Sequence, residues 1–186
     1  RISSNQLKKL LNSCRYDEIL DRLANYNDAH ATYFRALALD QIASFKKERG
    51  EQYKNILRQS KKNIDDGGRR FPNDIRFLFL DGLHFLHAQT PKKAFQRFSK
   101  HYKKSRDPKI LGAIGNAYKA MGKYKAALRK YRQAAKQGLS RLMMAHNIVS
   151  TYKLMGRNDL AKKNARVGLK IKPKNAALMT PPMMSS

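Results

Sequence analysis

Three residues whose side chains could bind a metal ion lie three positions apart in one predicted helix. Asp81, His84 and His87 are spaced i, i+3 and i+6, which places them loosely on one side of a helix. Imidazole nitrogens and carboxylate oxygens are common zinc ligands, but a structural zinc site needs four of them. No Cys or His pair is placed to complete this set. We therefore predict that the three residues are structural and that the chain holds no metal.

Other patterns that would indicate catalysis are missing from the sequence. Cys14 has no His or Asn that the sequence pairs with it, so we predict a free structural thiol. No catalytic serine motif, phosphate-binding P-loop or pair of carboxylates in an apolar setting is present. Gly67 and Gly68 precede two arginines, but this segment lacks the lysine and hydroxyl of a P-loop. We predict a loop over 65–74, because glycine permits unusual dihedrals and Pro72 stops a helix.

These absences predict a protein that is not an enzyme, has no cofactor and has no small-molecule substrate. What remains to be explained is how the chain is organised, and here the hydrophobic periodicity is informative.

The clearest pattern lies in residues 108–141, which read as two short helices joined by a tight turn. Small residues, Gly115 and Ala127, occupy positions 8 and 20 of this stretch, where two helices cross closely. Large residues, Tyr118 and Tyr131, occupy positions 11 and 24. This pattern resembles the tetratricopeptide repeat, a 34-residue helix–turn–helix unit with a code of small and large residues.

The same register extends to neighbouring stretches. Residues 142–173 and 75–107 read as further repeats, residues 29–72 as an elongated helix pair and residues 1–28 as a degenerate pair. Residues 174–186 form a short tail rich in Met and Pro. We predict an all-α fold, a single solenoid over 1–173 with four to five helix pairs. The resemblance implies a right-handed superhelix with a concave groove.

The resemblance also implies which residues face that groove, namely positions 2, 5, 9 and 12 of each first helix. In this chain they are Arg76, Phe79, Leu83, Leu86, Lys109, Gly112, Asn116, Lys119, Met143, His146, Ser150 and Lys153. One end of this wall is apolar and the other is basic, which suits an extended peptide or a helix with acidic character. Gly112 either leaves room for a ligand backbone or is a tolerated surface glycine.

One subgroup of the family binds chaperone C-termini through a carboxylate clamp. Asn116 and Asn147 match the two asparagines of that clamp. Gly112 stands where the first lysine should be, and the last Lys and Arg have no counterpart. The resemblance therefore does not extend to clamp binding.

A second surface is predicted on the outer side of the second helices, where basic residues are spaced i, i+4, i+7 and i+11. We call it the basic ridge; its residues are Lys125, Arg129, Arg132, Lys136, Lys163, Arg166 and Lys170. Stacked repeats place equivalent residues side by side, so the two stripes should form one surface two helices wide.

The composition is strongly basic, with 40 Lys and Arg against 13 Asp and Glu in 186 residues, a net charge of +27. Such a surface either attracts a polyanion or is simply solvated. The sequence contains no apolar run of 18 or more residues, so we predict no transmembrane helix. The chain begins with Arg1 and not Met, which leaves N-terminal processing open. Its one cysteine does not locate the protein in a compartment.

The sequence therefore predicts a binding scaffold or adaptor within a larger assembly. Its groove is expected to bind a protein or peptide of acidic character. Two alternatives rest on the net charge. The basic ridge could grip the phosphates of nucleic acid in a ribonucleoprotein-associated module. It could instead lie on an anionic membrane surface, as in an envelope-associated assembly factor.

Overall fold

The computed structural model describes residues 2–171, without the side chains of 141 and 167–171. All the regular secondary structure in this part of the chain is helical, which confirms the predicted all-α fold. The helices are α1 (Ser4–Asn12), α2 (Tyr16–Leu23), α3 (Ala29–Glu48), α4 (Lys54–Arg70), α5 (Arg76–His87), α6 (Pro91–Ser105), α7 (Pro108–Ala120), α8 (Tyr124–Lys136), α9 (Arg141–Leu154) and α10 (Asn158–Ile171). They form two compact units, residues 1–101 and 102–186, whose boundary falls within α6.

The first unit begins with the predicted degenerate pair. A capping box starts α1, in which Ser3 accepts from the backbone N–H of Gln6 while the Gln6 side chain accepts from the backbone N–H of Ser3. Cys14 lies in the turn between α1 and α2 with a φ of 55°. The apolar faces of α1, α2 and α3 share one core, whose residues are Leu7, Leu10, Ile19, Leu23, Ala31, Phe34 and Ala38.

The elongated second pair differs from the prediction in one respect. The predicted loop over 65–74 is wrong, because α4 continues through both glycines to Arg70. Gly67 is buried, and a Cβ placed on it would lie within 3.0 Å of the Phe77 ring. Two adjacent glycines usually indicate a loop, but here one of them makes room for an aromatic ring of the following helix. The connection to α5 is correspondingly short, residues 71–75.

Two glycine–aromatic contacts join the helices of the pairs α5/α6 and α7/α8. A Cβ on Gly82 would overlap the ring of Phe98, and a Cβ on Gly115 would overlap the ring of Tyr131. In both pairs the glycine stands at position 8 of its predicted repeat and the ring at position 24. Helix α6 begins at Pro91, and the fixed φ of proline suits the first position of a helix.

The described part of the second unit is the pairs α7/α8 and α9/α10. Its core is a single cluster of buried residues: Leu111, Ala127, Leu128, Tyr131, Ala134, Met144, Ile148, Val149, Tyr152, Ala161 and Ala165. In the last pair the sizes at positions 8 and 24 are exchanged. Val149 stands where the other two pairs have glycine, and Ala165 stands where they have an aromatic residue. The predicted single solenoid over 1–173 stays a prediction, and the tail at 174–186 lies outside the described residues.

Candidate binding surfaces

The groove residues predicted on α5 are largely occupied by contacts within the first unit. The Arg76 guanidinium is held by Asp74, with nitrogen–oxygen distances of 2.6 to 3.1 Å, and lies 4.9 Å from the centre of the Tyr33 ring. Phe79 packs against Phe98 with ring centres 5.8 Å apart. Leu83 and Leu86 are half-buried. This part of the predicted wall offers apolar surface and a cation that already has its carboxylate.

On α7 the groove residues are more open, with one exception. Lys109 is exposed, and Lys119 and Asn116 are half-buried. The Asn116 carbonyl oxygen accepts a hydrogen bond of 2.7 Å from the hydroxyl of Tyr131, so this side chain is oriented by the core. The exception is Gly112, which is buried.

The expectation that Gly112 leaves room for a ligand backbone is not met. A Cβ there would be in ordinary contact, at 3.5 Å, with the side chains of Leu139 and Met144. The space beside Gly112 is therefore filled by Leu139, in the connection that follows α8, and by Met144 of α9. Nor is it a surface glycine, which was the other reading of the sequence.

The groove residues on α9 are accessible. Met143 is exposed to 57%, a high value for a large apolar side chain. His146 is exposed as well, and Asn147, Ser150 and Lys153 are half-buried. Met144, the residue after Met143, points the other way and touches α7 near Gly112. We use the term α7/α9 face for Lys109, Asn116, Lys119, Met143, His146, Asn147, Ser150 and Lys153.

Charge on this unit is unbalanced to an unusual degree. Between residues 102 and 186 the sequence contains 20 Lys and Arg and two acids, Asp107 and Asp159. Asp107 caps α7 by accepting from the backbone N–H of Lys109 at 2.9 Å. Asp159 pairs with Arg157 at 3.2 Å. Both carboxylates are thus engaged at helix starts.

Lys119 is the residue for which this imbalance matters most. Burial lowers the pKa of its ammonium below the ordinary lysine value, since water is partly excluded and the charged form is disfavoured. In the described part of the chain no carboxylate pairs with it. A half-buried cation without a counter-charge lowers the stability of the fold, and a carboxylate of an acidic ligand could pair with it.

The basic ridge is exposed where its side chains are described. Lys125, Arg129, Lys136, Lys163 and Arg166 all face solvent. Arg132 is exposed too, but its guanidinium donates a 2.8 Å hydrogen bond to the Tyr152 hydroxyl and is turned toward α9. Lys170 lies in α10, and its side chain is outside the described residues. That the two stripes form one continuous surface remains a prediction.

The three possible metal ligands Asp81, His84 and His87 do not face a common point. Asp81 pairs with Arg97, and its other oxygen lies 3.2 Å from the ammonium of Lys61. The two histidines turn instead toward Asp40 on α3, which is fully buried. Among residues 2–171 no group of three or more His, Cys, Asp or Glu side chains is arranged to hold a metal ion.

Asp40 was missed by the sequence reasoning. Its Oδ2 accepts from Nδ1 of His87 at 2.6 Å, and its Oδ1 lies 3.4 Å from Nδ1 of His84. Ser60 closes the site from α4, with its hydroxyl 3.1 Å from the carbonyl oxygen of Ala36. Burial opposes ionisation, yet the two histidines outweigh it and hold the pKa of Asp40 below its usual value. The sequence did contain a signal for this site, namely an acidic residue, Asp40, among the apolar residues of one face of α3.

Solved structures of MamA share the fold of the chain. MamA from MSR-1 aligns with a TM-score of 0.59 at 15% identity, covering 92% of this chain and 95% of that one. MamA from AMB-1 aligns with a TM-score of 0.55 at 14% identity, covering 95% and 94%. A further MamA crystal structure gives 0.56 at 17% identity over 74% and 78%. At these identities the likeness shows the fold alone, a helical repeat of the tetratricopeptide type.

A scan against protein-family models finds no match to the chain, and neither does a search of curated proteins. None of the described helices combines the length and the apolar character that crossing a membrane requires.

Proposed function

We propose that the chain is a non-enzymatic adaptor whose second unit binds an acidic segment of a protein partner on the α7/α9 face. The observation that carries this proposal is Lys119, a half-buried ammonium with which no carboxylate of residues 102–171 pairs. A ligand carboxylate would supply the missing charge in a site that is already partly desolvated, where such a pair is stronger than at an exposed surface.

The neighbouring residues favour a peptide over a simple anion. Met143 presents an adaptable apolar side chain to solvent, and half-buried amide and hydroxyl groups lie on the same helix at Asn147 and Ser150. An extended or helical segment that alternates acidic and apolar residues would use both features. The repeat fold supports this proposal, since a helical-repeat fold commonly provides such elongated binding surfaces.

A site-resolved titration tests the proposal. Isotope-labelled protein is titrated with a ten-residue peptide of alternating Glu and Ala, and amide chemical shifts are followed. We expect saturable shifts centred on α7 and α9. The matching peptide of Gln and Ala should cause much smaller shifts, because it lacks the carboxylates. Shifts spread evenly over the lysines of both units would contradict the proposal.

A second candidate function rests on the basic ridge. Its described cations are exposed and, in residues 2–171, none of them forms an ion pair, so they remain available to phosphate. This favours a nucleic-acid-associated role in which phosphate contacts give affinity without sequence reading. The logarithm of the affinity for a single-stranded RNA should then fall linearly with the logarithm of salt concentration. Flotation with vesicles containing anionic lipid distinguishes an envelope-associated role.

A further inference from the structure

A cavity of about 340 Å³ lies in the first unit, where the end of α3, the first half of α4 and the end of α5 meet. It shares no residue with the α7/α9 face or with the basic ridge, and the sequence patterns gave no sign of it. The side chains that matter for its chemistry are Lys47, Tyr53, Lys54, Arg58, His84 and His87. Its size is within the usual range for small-ligand sites.

Three of the cations that line this cavity have no carboxylate partner within residues 2–171. The Lys47 ammonium donates to the backbone carbonyl of His87 at 3.0 Å, and Arg58 donates to the side-chain oxygen of Asn55 at 3.0 Å. Both contacts are with neutral groups, so the positive charges remain uncompensated. Lys54 stands one helical turn before Arg58 on the same side of α4.

The fourth cation in the lining behaves differently, and the contrast is informative. Lys61 pairs with Asp65 and lies 3.2 Å from Asp81. The charge of Lys61 is therefore balanced by carboxylates of α4 and α5. The charges of Lys47, Lys54 and Arg58 are not balanced in this way within residues 2–171.

The wall contributed by α5 carries two histidines that face the buried carboxylate of Asp40. His84 has a side chain exposed to only 8%, and its Nδ1 makes no hydrogen bond within the described residues, with Asp40 at 3.4 Å. His87 is fixed by its hydrogen bond to Asp40. Both imidazoles are oriented toward Asp40, and they form the α5 wall of a cavity whose cations Lys54 and Arg58 lie on the exposed side of α4.

We infer that this cavity, which we call the α3/α4/α5 pocket, binds a phosphate monoester or diphosphate group through Lys47, Lys54 and Arg58. An arginine supplies a planar fork that matches phosphate oxygens in pairs, and lysines add point charges around it. Three cations match a group with two or more negative charges better than a single carboxylate. The first turn of α4 adds backbone N–H groups, since no side chain caps this helix.

The position of the Tyr53 ring indicates what kind of group the bound phosphate could be attached to. It lines the same cavity and lies 5.7 Å from the ammonium of Lys47. A flat or apolar group attached to the phosphate could rest against this ring and against Leu57. The phosphate could belong to a free small molecule or to a phosphorylated side chain of a protein, since both present the same dianionic group.

Titration of labelled protein with inorganic pyrophosphate at fixed ionic strength tests the inference. Because the net charge will attract anions everywhere, the readout must be local. We expect saturable amide shifts in residues 54–58 and at Ala88 and Gln89, and at least a tenfold loss of affinity in Lys54→Gln and in Arg58→Gln. Lys62→Gln removes the same charge from an exposed site on α4 that does not line the cavity, and should change the affinity less than twofold.

Two further titrants distinguish the sources of the phosphate. A nucleoside monophosphate that binds more tightly than pyrophosphate would indicate a small molecule with a ring on Tyr53. A phosphoserine peptide that binds more tightly than its unphosphorylated form would indicate a modified protein. Shifts that do not saturate, or equal losses in Lys62→Gln and Arg58→Gln, would overturn the inference.

Discussion

The Nδ1 atom of His87 lies 2.6 Å from Oδ2 of Asp40, a fully buried carboxylate 47 positions earlier in the chain. This contact ties the end of α5 to the middle of α3. It also gives two histidines of one helix face a shared partner, because each has its Nδ1 turned toward the same acid. The pair fixes one wall of the α3/α4/α5 pocket, so its loss should affect both stability and the pocket.

Replacement of Asp40 should be one of the most damaging single changes in the first unit. Asp40→Asn keeps the shape but removes the charge that the two histidines face. We expect a loss of about 1–3 kcal/mol in the free energy of unfolding, the usual effect of leaving a buried hydrogen-bonding group without its charged partner. Urea denaturation at neutral pH measures it. Asp17→Asn, at an exposed position of α2, should change stability by less than about 0.5 kcal/mol.

The pH dependence of this effect has a definite sign. The pKa of Asp40 is lower in the folded protein than its ordinary value of 3.8, so between the two values the unfolded state binds more protons. Its contribution is therefore complete above the ordinary value and is lost as the pH falls through the folded value. The stability difference between the native protein and Asp40→Asn should shrink below about pH 4. A difference that does not change with pH in this range would show that ionised Asp40 is not the stabilising form.

Adjacent glycines on α4 give a matched pair of opposite predictions. Gly67→Ala should destabilise the protein by about 1–3 kcal/mol, since the methyl group would overlap the Phe77 ring in a packed core. Gly68→Ala meets no atom within 4 Å and should stabilise by about 0.5–1 kcal/mol, the helix-propensity difference between the two residues. Thermal unfolding of both variants decides. Stabilisation by both would mean that α4 does not pack on Phe77 as described.

The glycines also show what the sequence could and could not predict. Gly115 was placed at a close helix crossing because it belongs to a regular repeat, and the ring it contacts, Tyr131, lies 16 positions later in the same repeat. Gly67 was assigned to a loop because its partner, Phe77, lies outside that register. Asp40 was missed, and Gly112 was assigned to the groove or the surface, for a similar reason. Their surroundings come from residues distant in sequence, and a repeat code describes only contacts at fixed spacing.

Lys119 should show a conflict between stability and binding. Lys119→Met removes a half-buried charge while keeping a long side chain, so the melting temperature should stay equal or rise. The sign with pH follows from the lowered pKa of the native lysine. Between the folded pKa and the ordinary value of 10.5, the unfolded state binds more protons than the folded state, so the native protein becomes more stable as the pH rises. The difference in the free energy of unfolding between the native protein and Lys119→Met should therefore shrink as the pH approaches 10.5. A lower melting temperature for Lys119→Met at neutral pH would mean that the ammonium has an unrecognised stabilising partner.

The basic ridge is tested separately by charge reversal. The double variant Arg129→Glu with Arg166→Glu changes two exposed residues and should leave helicity unchanged. If the ridge binds RNA, the affinity should fall at least tenfold and the slope of log affinity against log salt should decrease by about two. Lys8→Glu with Lys9→Glu, two exposed lysines of α1, is the control for charge. Equal losses in both double variants would show that net charge alone attracts the RNA.

The central claim, that Lys119 is the anchor for an acidic partner segment, is tested most directly by comparing two charge-neutral variants. The affinity of the Glu–Ala peptide is measured by calorimetry for Lys119→Gln and for Lys162→Gln, the second an exposed lysine of α10 outside both binding surfaces. We predict at least a tenfold loss for Lys119→Gln, equivalent to about 1.4 kcal/mol, and less than a twofold change for Lys162→Gln. Equal affinities in the two variants would contradict the proposed function.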